Sequence, residues 1–213
     1  MMIPRNVLVL GATGGTGRHV VAQGLGQGHV VTAFVRDASK LSVASDRLRV
    51  VVGSTTDDGP ALAIAMRGQD VVISSLGLGK SLKSHGLIAR SVPRILHAMN
   101  SEGVRRLIFT SAFGVGETIR DTPLLPRLFI RTLLRDMYSD KEAGEVELVN
   151  SSLDWTLVYP TGLSDGQATG QYVAGERLAL RGFPRIARAD VAAFLLAQID
   201  DATYVRKRVL ISS

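Results

Sequence analysis

Val7-Leu8-Val9-Leu10 runs straight into Gly11-Ala12-Thr13-Gly14-Gly15-Thr16-Gly17, and the stretch beyond it, Gly15 to Gln27, is a helix candidate. A short apolar run closed by glycines at the mouth of a helix reads as strand, tight turn, helix. Gly11 permits the turn, Gly14 lets the backbone come close to a pyrophosphate, and Gly17 lets the helix pack against the strand. The helix start offers free N–H groups and a partial positive charge to phosphates. Gly11, Thr13, Gly14, Gly15, Thr16 and Gly17 are therefore candidate dinucleotide-binding residues. The other common phosphate cradle ends in Gly-Lys and then Ser or Thr. Here Gly17 is followed by Arg18-His19, which argues against nucleoside triphosphate chemistry.

Similar units follow along the chain. Short β-branched runs stand at Val30–Val35, Leu48–Val52, Val71–Ser75, Leu107–Thr110, Thr156–Tyr159 and Val209–Ser212. Several are continuously apolar, as strands buried on both faces of a parallel sheet are. Between them lie helix candidates at Asp58–Met66, His85–Glu102, Pro126–Asn150 and Ala189–Ile199. The alternation predicts an α/β chain with a single Rossmann-type domain over residues 1–213, a doubly wound, mainly parallel sheet with helices on both faces. In such sheets ligands bind outside the carboxyl ends of the strands. The irregular stretches 112–126 and 161–184 both follow strands and are expected to cover the substrate.

The 213 residues are 46% hydrophobic, which suits one large folded domain. With no cysteine, disulfides, thiolate metal sites and thiol catalysis are excluded, and no metal is expected. No apolar run approaches the roughly 20 residues of a membrane span, and the N-terminal stretch lacks a signal-peptide pattern. The expected setting is cytoplasmic. The net charge of +6 comes from scattered Lys and Arg without a nucleic-acid-binding motif, so no nucleic-acid partner is expected.

The second predicted strand ends Ala33-Phe34-Val35-Arg36-Asp37, with Lys40 shortly after. A carboxylate at this strand end would hold the ribose hydroxyls of NAD, whereas cations meet the 2′-phosphate of NADP. Arg36 and Lys40 supply two cations, and Asp37 reads as a cap facing solvent. NADP(H) is expected to be preferred, with NAD(H) possible. Ser54 after the third strand, and Ser75, Leu76 and Gly77 after the fourth, should border the rest of the dinucleotide.

The glycine spacing, with VRDASKL, VVGS, GQDVVISSLG, FTSAFGV, SSLDWTLVYPTGL and ARADVAAFLL, resembles the atypical short-chain dehydrogenases/reductases with an NAD(P)H-binding, NmrA-like fold. Within them the chain looks most like the biliverdin/flavin reductase type, over nearly its whole length. The family usually has an aspartate where Ser54 stands. The resemblance implies that Thr110 and Ser111 end the fifth strand beside the nicotinamide, with Ser111 the candidate catalytic-pocket hydroxyl. It also implies that Tyr159, Pro160 and Thr161 pass the nicotinamide amide, and that Asp190 is structural. Typical superfamily members carry Tyr-x-x-x-Lys on the next helix, the tyrosine donating a proton. Here Tyr138-Ser139-Asp140-Lys141 is one residue short, and Met137 stands where that tyrosine would be. Shortening i+4 to i+3 turns the side chain by about 100° around the helix. Tyr138 is thus not read as the general acid, although Tyr138 and Lys141 remain candidate pocket residues. The histidines of the biliverdin/flavin reductases correspond to Lys141 and Gly162.

Arg127, Arg131 and Arg135, four apart, are expected to form one basic stripe on a helix. The functional expectation is hydride transfer from a nicotinamide to a small planar acceptor such as a flavin or quinone, by a monomer or homodimer. The alternatives are a redox-sensing regulator without turnover, and a carbonyl reductase or epimerase-like enzyme using Tyr138 and Lys141.

Overall fold

In β1 (Asn6–Leu10), Leu8 and Leu10 point to one side and Val7 and Val9 to the other, and all four are fully buried. A strand apolar on both faces must be covered on both faces, and everything else is arranged around that need. The computed structural model describes residues 3–213 apart from 80, 82, 122–126, 128–131 and 181.

The remaining parallel strands of the main sheet are β2 (Val30–Val35), β3 (Leu48–Val52), β4 (Val71–Ser74), β5 (Arg106–Thr110), β6 (Asp154–Pro160) and β10 (Lys207–Ser212). Three short strands, β7 (Gly162–Ser164), β8 (Val173–Gly175) and β9 (Arg185–Ala187), lie between β6 and β10. The main sheet has the order β3-β2-β1-β4-β5-β6-β10-β8, with β8 antiparallel to β10. The order reverses between β1 and β4, which opens a crevice at their carboxyl ends.

The helices are α1 (Gly15–Gly26), α2 (Gly59–Met66), α3 (Leu87–Ser101), α4 (Arg135–Val149) and α5 (Arg188–Ala197). Core residues of α2, α3 and α4 pack with Leu8, Leu107, Phe109 and Tyr159 on one face of the sheet. Those of α1 and α5 pack with Val7, Val9, Val158 and Ile211 on the other. This is the doubly wound Rossmann domain that the alternating pattern predicts. The approach of α3 to α4 depends on Gly144, where a Cβ would stand 2.6 Å from Ile88 Cγ2.

Several boundaries differ from expectation. α3 begins at Leu87 instead of His85, because His85 and Gly86 both have positive φ, at 50° and 66°, and cannot join a right-handed helix. A turn at Leu133 and a bend at Leu134 precede α4, so no continuous helix runs from the expected start to Asn150. Arg135 thus sits on a separate element from Arg127, and Arg131 and Pro126, on which the expected stripe and helix start also rest, lie outside the described residues. The stretch 161–184 is more ordered than expected, since β7 pairs with β9 and β8 closes the edge of the main sheet. Residues Gly116–Asp121 of the other stretch form a short 3-10 helix. β3 is an edge strand, with Val50 and Val52 exposed, so its apolar run does not mean burial on both faces.

Candidate functional site

The loop between β1 and α1 is held by the contacts its glycines permit. Gly11 has φ +78°, and a Cβ there would meet the Ser75 carbonyl oxygen at 2.8 Å. At Gly17 a Cβ would lie 2.0 Å from the Gly11 carbonyl oxygen, so the helix can start only if residue 17 has no side chain. Gly14 differs. Its hypothetical Cβ meets only the Gly11 oxygen, at 3.1 Å, and its backbone lines a cleft. Gly14 caps α1 without a side-chain bond, and the first turn of α1 has no acidic residue. The helix end keeps its partial positive charge for a ligand.

The cleft has a volume of about 310 Å³ and lies at the β1/β4 crevice. Gly11, Thr13, Gly14, Arg36, Lys40, Ser54, Ser75, Leu76 and Gly77, all singled out from sequence, line it together. Phe34, Thr55, Thr56, Leu78, Gly79 and Leu87 also line it and were missed by sequence reasoning. Arg36 and Lys40 are exposed at the end of β2. Asp37 caps the short 3-10 helix Ala38–Lys40, accepting from Ser39 N at 3.0 Å and Ser39 Oγ at 2.6 Å. Those two bonds hold its carboxyl below the ordinary value. Its oxygen lies 3.7 Å from the Lys40 ammonium. Ser54 Oγ donates to Asp57 Oδ2 at 3.1 Å, so the hydroxyl that lines the cleft is held by a carboxylate although residue 54 is not itself acidic. A phosphate-bearing dinucleotide fits this lining of bare glycine backbone, an uncapped helix start and two exposed cations.

Thr16 and Gly17 are buried at the root of α1, and Gly15 packs under Arg188. Thr110 ends β5 with a buried Oγ1 that has no hydrogen-bond partner among the described residues. Such an atom is costly unless a ligand or water satisfies it.

Beyond Thr110 lies a second group of polar side chains, between the ends of β5 and β6 and the inner face of α4. Ser111 Oγ donates to Glu145 Oε1, and Tyr159 OH donates to Glu145 Oε2 at 2.7 Å. Lys141, one turn before Glu145 on α4, is 7% exposed, and Glu145 is 4% exposed. Burial pushes the Glu145 carboxyl up, while its bonds to Ser111 and Tyr159 and the charges of Lys141 and Arg208 pull the other way. Burial likewise pushes the Lys141 ammonium down, against the pull of Glu145 and Asp140. Burial also raises the Tyr159 phenol, and Glu145 raises it further. Glu145 was not singled out from sequence; its place at i+4 from Lys141, on one helix face, is the signal that could have found it.

Tyr138 is half-buried and donates to the Phe113 carbonyl oxygen at 3.2 Å. Its phenol is raised by burial. Asp140, between Tyr138 and Lys141, turns the other way and accepts from Ile88 N and Ala89 N at 3.0 and 2.9 Å. It caps α3, so the shortened spacing accommodates a helix cap. Thr161 Oγ1 pairs with Ser212 Oγ at 3.1 Å, and Pro160 is buried at the end of β6. Tyr159 and Thr161 thus turn their side chains to Glu145 and Ser212. Asp190 accepts from Thr169 N, Thr169 Oγ1 and Gly170 N, and so ties the stretch after β7 to α5. Among the described residues no helix is long and apolar enough to cross a membrane.

Residues 11–202 match the family described as NAD(P)H-binding. The photosystem II assembly factor Ycf39 of Synechocystis is 27% identical over 171 residues, 78% of this chain. The chain spans 47% of that relative's length. ChuY, titled an anaerobillin reductase, from Escherichia coli O157:H7 superposes with TM-score 0.79 at 23% identity, covering 97% of this chain and 96% of its own. A wide-type short-chain dehydrogenase/reductase from Veillonella parvula, in complex with NADP, gives TM-score 0.82 at 19% identity, covering 99% and 95%. At these identities the two structures show a shared fold.

Proposed function

The chain belongs to the NAD(P)H-binding family, and on that premise we propose that it is an NADP(H)-dependent oxidoreductase whose acceptor is a planar redox-active molecule such as a flavin or quinone. The observation that carries the choice of acceptor is the engagement of the hydroxyls. Tyr138 donates its hydroxyl hydrogen bond to the Phe113 carbonyl oxygen, and Ser111 and Tyr159 donate theirs to Glu145. A ketone needs a proton delivered to its oxygen in the transition state. A flavin accepts hydride at a ring nitrogen and takes its proton from solvent, so engaged hydroxyls suffice. The bound cofactor supplies the hydride from its reduced nicotinamide.

The chain's own residues bind and orient. Arg36 and Lys40 meet the 2′-phosphate, Gly14 and the start of α1 meet the pyrophosphate, and Ser54 borders the adenosine. Thr110, whose Oγ1 has no hydrogen-bond partner among the described residues, meets the nicotinamide side. Ser111, its proton directed at Glu145, presents lone pairs to an N–H of the cofactor or acceptor. Lys141 and Glu145 share one buried space, where burial draws each away from its charged form and the other draws it back, so neither meets the acceptor as an isolated group. The NADP-bound neighbour and the reductase among the fold neighbours are in line with this reading.

The test is steady-state oxidation of NADPH against a panel of flavins, quinones, bilins and aldehydes. Turnover with flavins or quinones and none with aldehydes is expected. Turnover confined to aldehydes would replace this reading with a carbonyl reductase, and binding without turnover on any acceptor would replace it with a sensor.

A further inference from the structure

Arg188 opens α5 and lies across the start of α1. A Cβ at Gly15 would stand 2.7 Å from both Cδ and Nε of Arg188 and 3.6 Å from its Cζ. The second glycine of the Gly14-Gly15 pair thus leaves the space that the end of an arginine side chain from the far end of the chain fills. The arrangement is electrostatically odd. A helix start is positive, and a guanidinium packed on it is repelled unless an anion stands between. The first turn of α1 provides none. The anion that Arg188 has is Asp165 just after β7, whose Oδ1 accepts from Nη1 at 2.6 Å. That side chain is 86% exposed and that of Arg188 25% exposed. An ion pair this open to water is worth little and is readily exchanged. The tie from α5 to the same stretch that persists is the one made by buried Asp190 to Thr169 and Gly170.

We propose that Arg188 is a pyrophosphate-binding residue held ready by Asp165. When the dinucleotide enters, the guanidinium exchanges the Asp165 carboxylate for a phosphate oxygen, and Asp165 is released to solvent. The inference rests on the dinucleotide reading above and adds to it a cation outside the glycine loop. Pyrophosphate is common to both nicotinamide dinucleotides, so Arg188 acts on both alike, whereas Arg36 and Lys40 act on the 2′-phosphate alone.

The experiment is fluorescence titration of NADPH and of NADH into the wild-type chain and into Arg188→Ala, Arg188→Lys, Asp165→Asn and Arg36→Ala. Circular dichroism confirms the fold of each. Losing a charge-assisted hydrogen bond should weaken binding roughly 10- to 100-fold, and Arg188→Ala should lose this for NADPH and NADH equally. Arg188→Lys should recover part of the loss. Asp165→Asn should tighten both nucleotides by roughly 1.5- to 5-fold, the worth of an exposed pair. Unchanged affinity in a folded Arg188→Ala overturns the proposal, as does a loss confined to NADPH or a weakening in Asp165→Asn. A wild-type chain that binds neither nucleotide overturns the dinucleotide reading itself, and this inference with it.

Discussion

Tyr159 donates to the Glu145 carboxylate at 2.7 Å, from the end of β6 to the inner face of α4. The same carboxylate takes the Ser111 hydroxyl with its other oxygen. One acid therefore fixes the orientation of a hydroxyl just after β5 and of one near the end of β6, at the carboxyl end of the sheet where the chemistry is proposed. Burial holds the Glu145 pKa above its unfolded value of about 4.3. For a raised carboxyl the stabilising contribution is complete below the unfolded pKa and is lost as pH rises through the folded one. Glu145→Gln has no such loss. Over a range of pH taken upward from the ordinary carboxyl value, its melting temperature relative to wild type should rise. A difference flat across that range would mean that Glu145 titrates as it does in the unfolded chain.

Lys141 shares this buried space, so the two charges should not act independently. Removing Lys141 alone leaves an uncompensated buried carboxylate. Lys141→Met should cost clearly more stability in the wild-type background than in Glu145→Gln. The coupling expected from a urea-denaturation cycle is on the order of 0.5–3 kcal/mol. Additive effects would contradict a direct electrostatic coupling.

Gly14 and Gly17 should separate binding from folding. At Gly17 a Cβ would overlap the Gly11 carbonyl oxygen at 2.0 Å, so Gly17→Ala should disrupt the turn and lower the melting temperature. At Gly14 the only near contact is 3.1 Å and the rest is cleft. Gly14→Val should keep the fold by circular dichroism and lose NADPH binding, because its branched side chain fills space the pyrophosphate needs. Normal binding in a folded Gly14→Val would remove the loop from the cofactor site.

The two sites differ in how far they can be read from the chain. The glycine loop is legible because its parts, strand, turn and helix start, lie within Val7 to Gly17 and each leaves a local mark on composition. Arg36, Lys40, Ser54 and Gly77 follow from counting strands, since in a parallel sheet the carboxyl ends converge. Glu145 is different. It is one of several acids on an amphipathic helix, and its role arises only when α4 docks it against Ser111 and Tyr159. Asp140 looks like part of a catalytic motif, yet it caps a helix 51 and 52 residues away. The pairing of β8 with β10 is equally silent, because a three-residue strand is stabilised by its partner and not by its own propensity.

Arg36 should set cofactor choice. The wild-type chain should bind NADPH roughly 10- to 100-fold more tightly than NADH, the worth of one charge-assisted phosphate contact. Arg36→Ala should remove most of that ratio while leaving NADH unchanged, as read by calorimetry on both cofactors. Equal wild-type affinities would show that the cations beside β2 do not meet a 2′-phosphate.

Loss of the Tyr138 hydroxyl separates the two kinds of acceptor. Tyr138 OH is spent on a backbone carbonyl at 3.2 Å, and burial raises its pKa, so it is a poor proton donor where it stands. With a flavin or quinone, Tyr138→Phe should leave turnover within a few-fold of wild type. Ser111→Ala removes one neutral orienting hydroxyl and one of the two hydroxyl donors to Glu145. Its expected cost is roughly 2- to 15-fold in kcat/KM, the worth of a single neutral hydrogen bond. Lys141→Ala should cost more, because it also leaves Glu145 without its neighbouring positive charge. A general acid contributes about 10²- to 10⁴-fold, so the two mechanisms fall in different ranges. A thousand-fold loss in Tyr138→Phe, with NADPH affinity intact, would mean that Tyr138 leaves the Phe113 carbonyl when the acceptor binds and delivers the proton. The acceptor would then be a carbonyl compound.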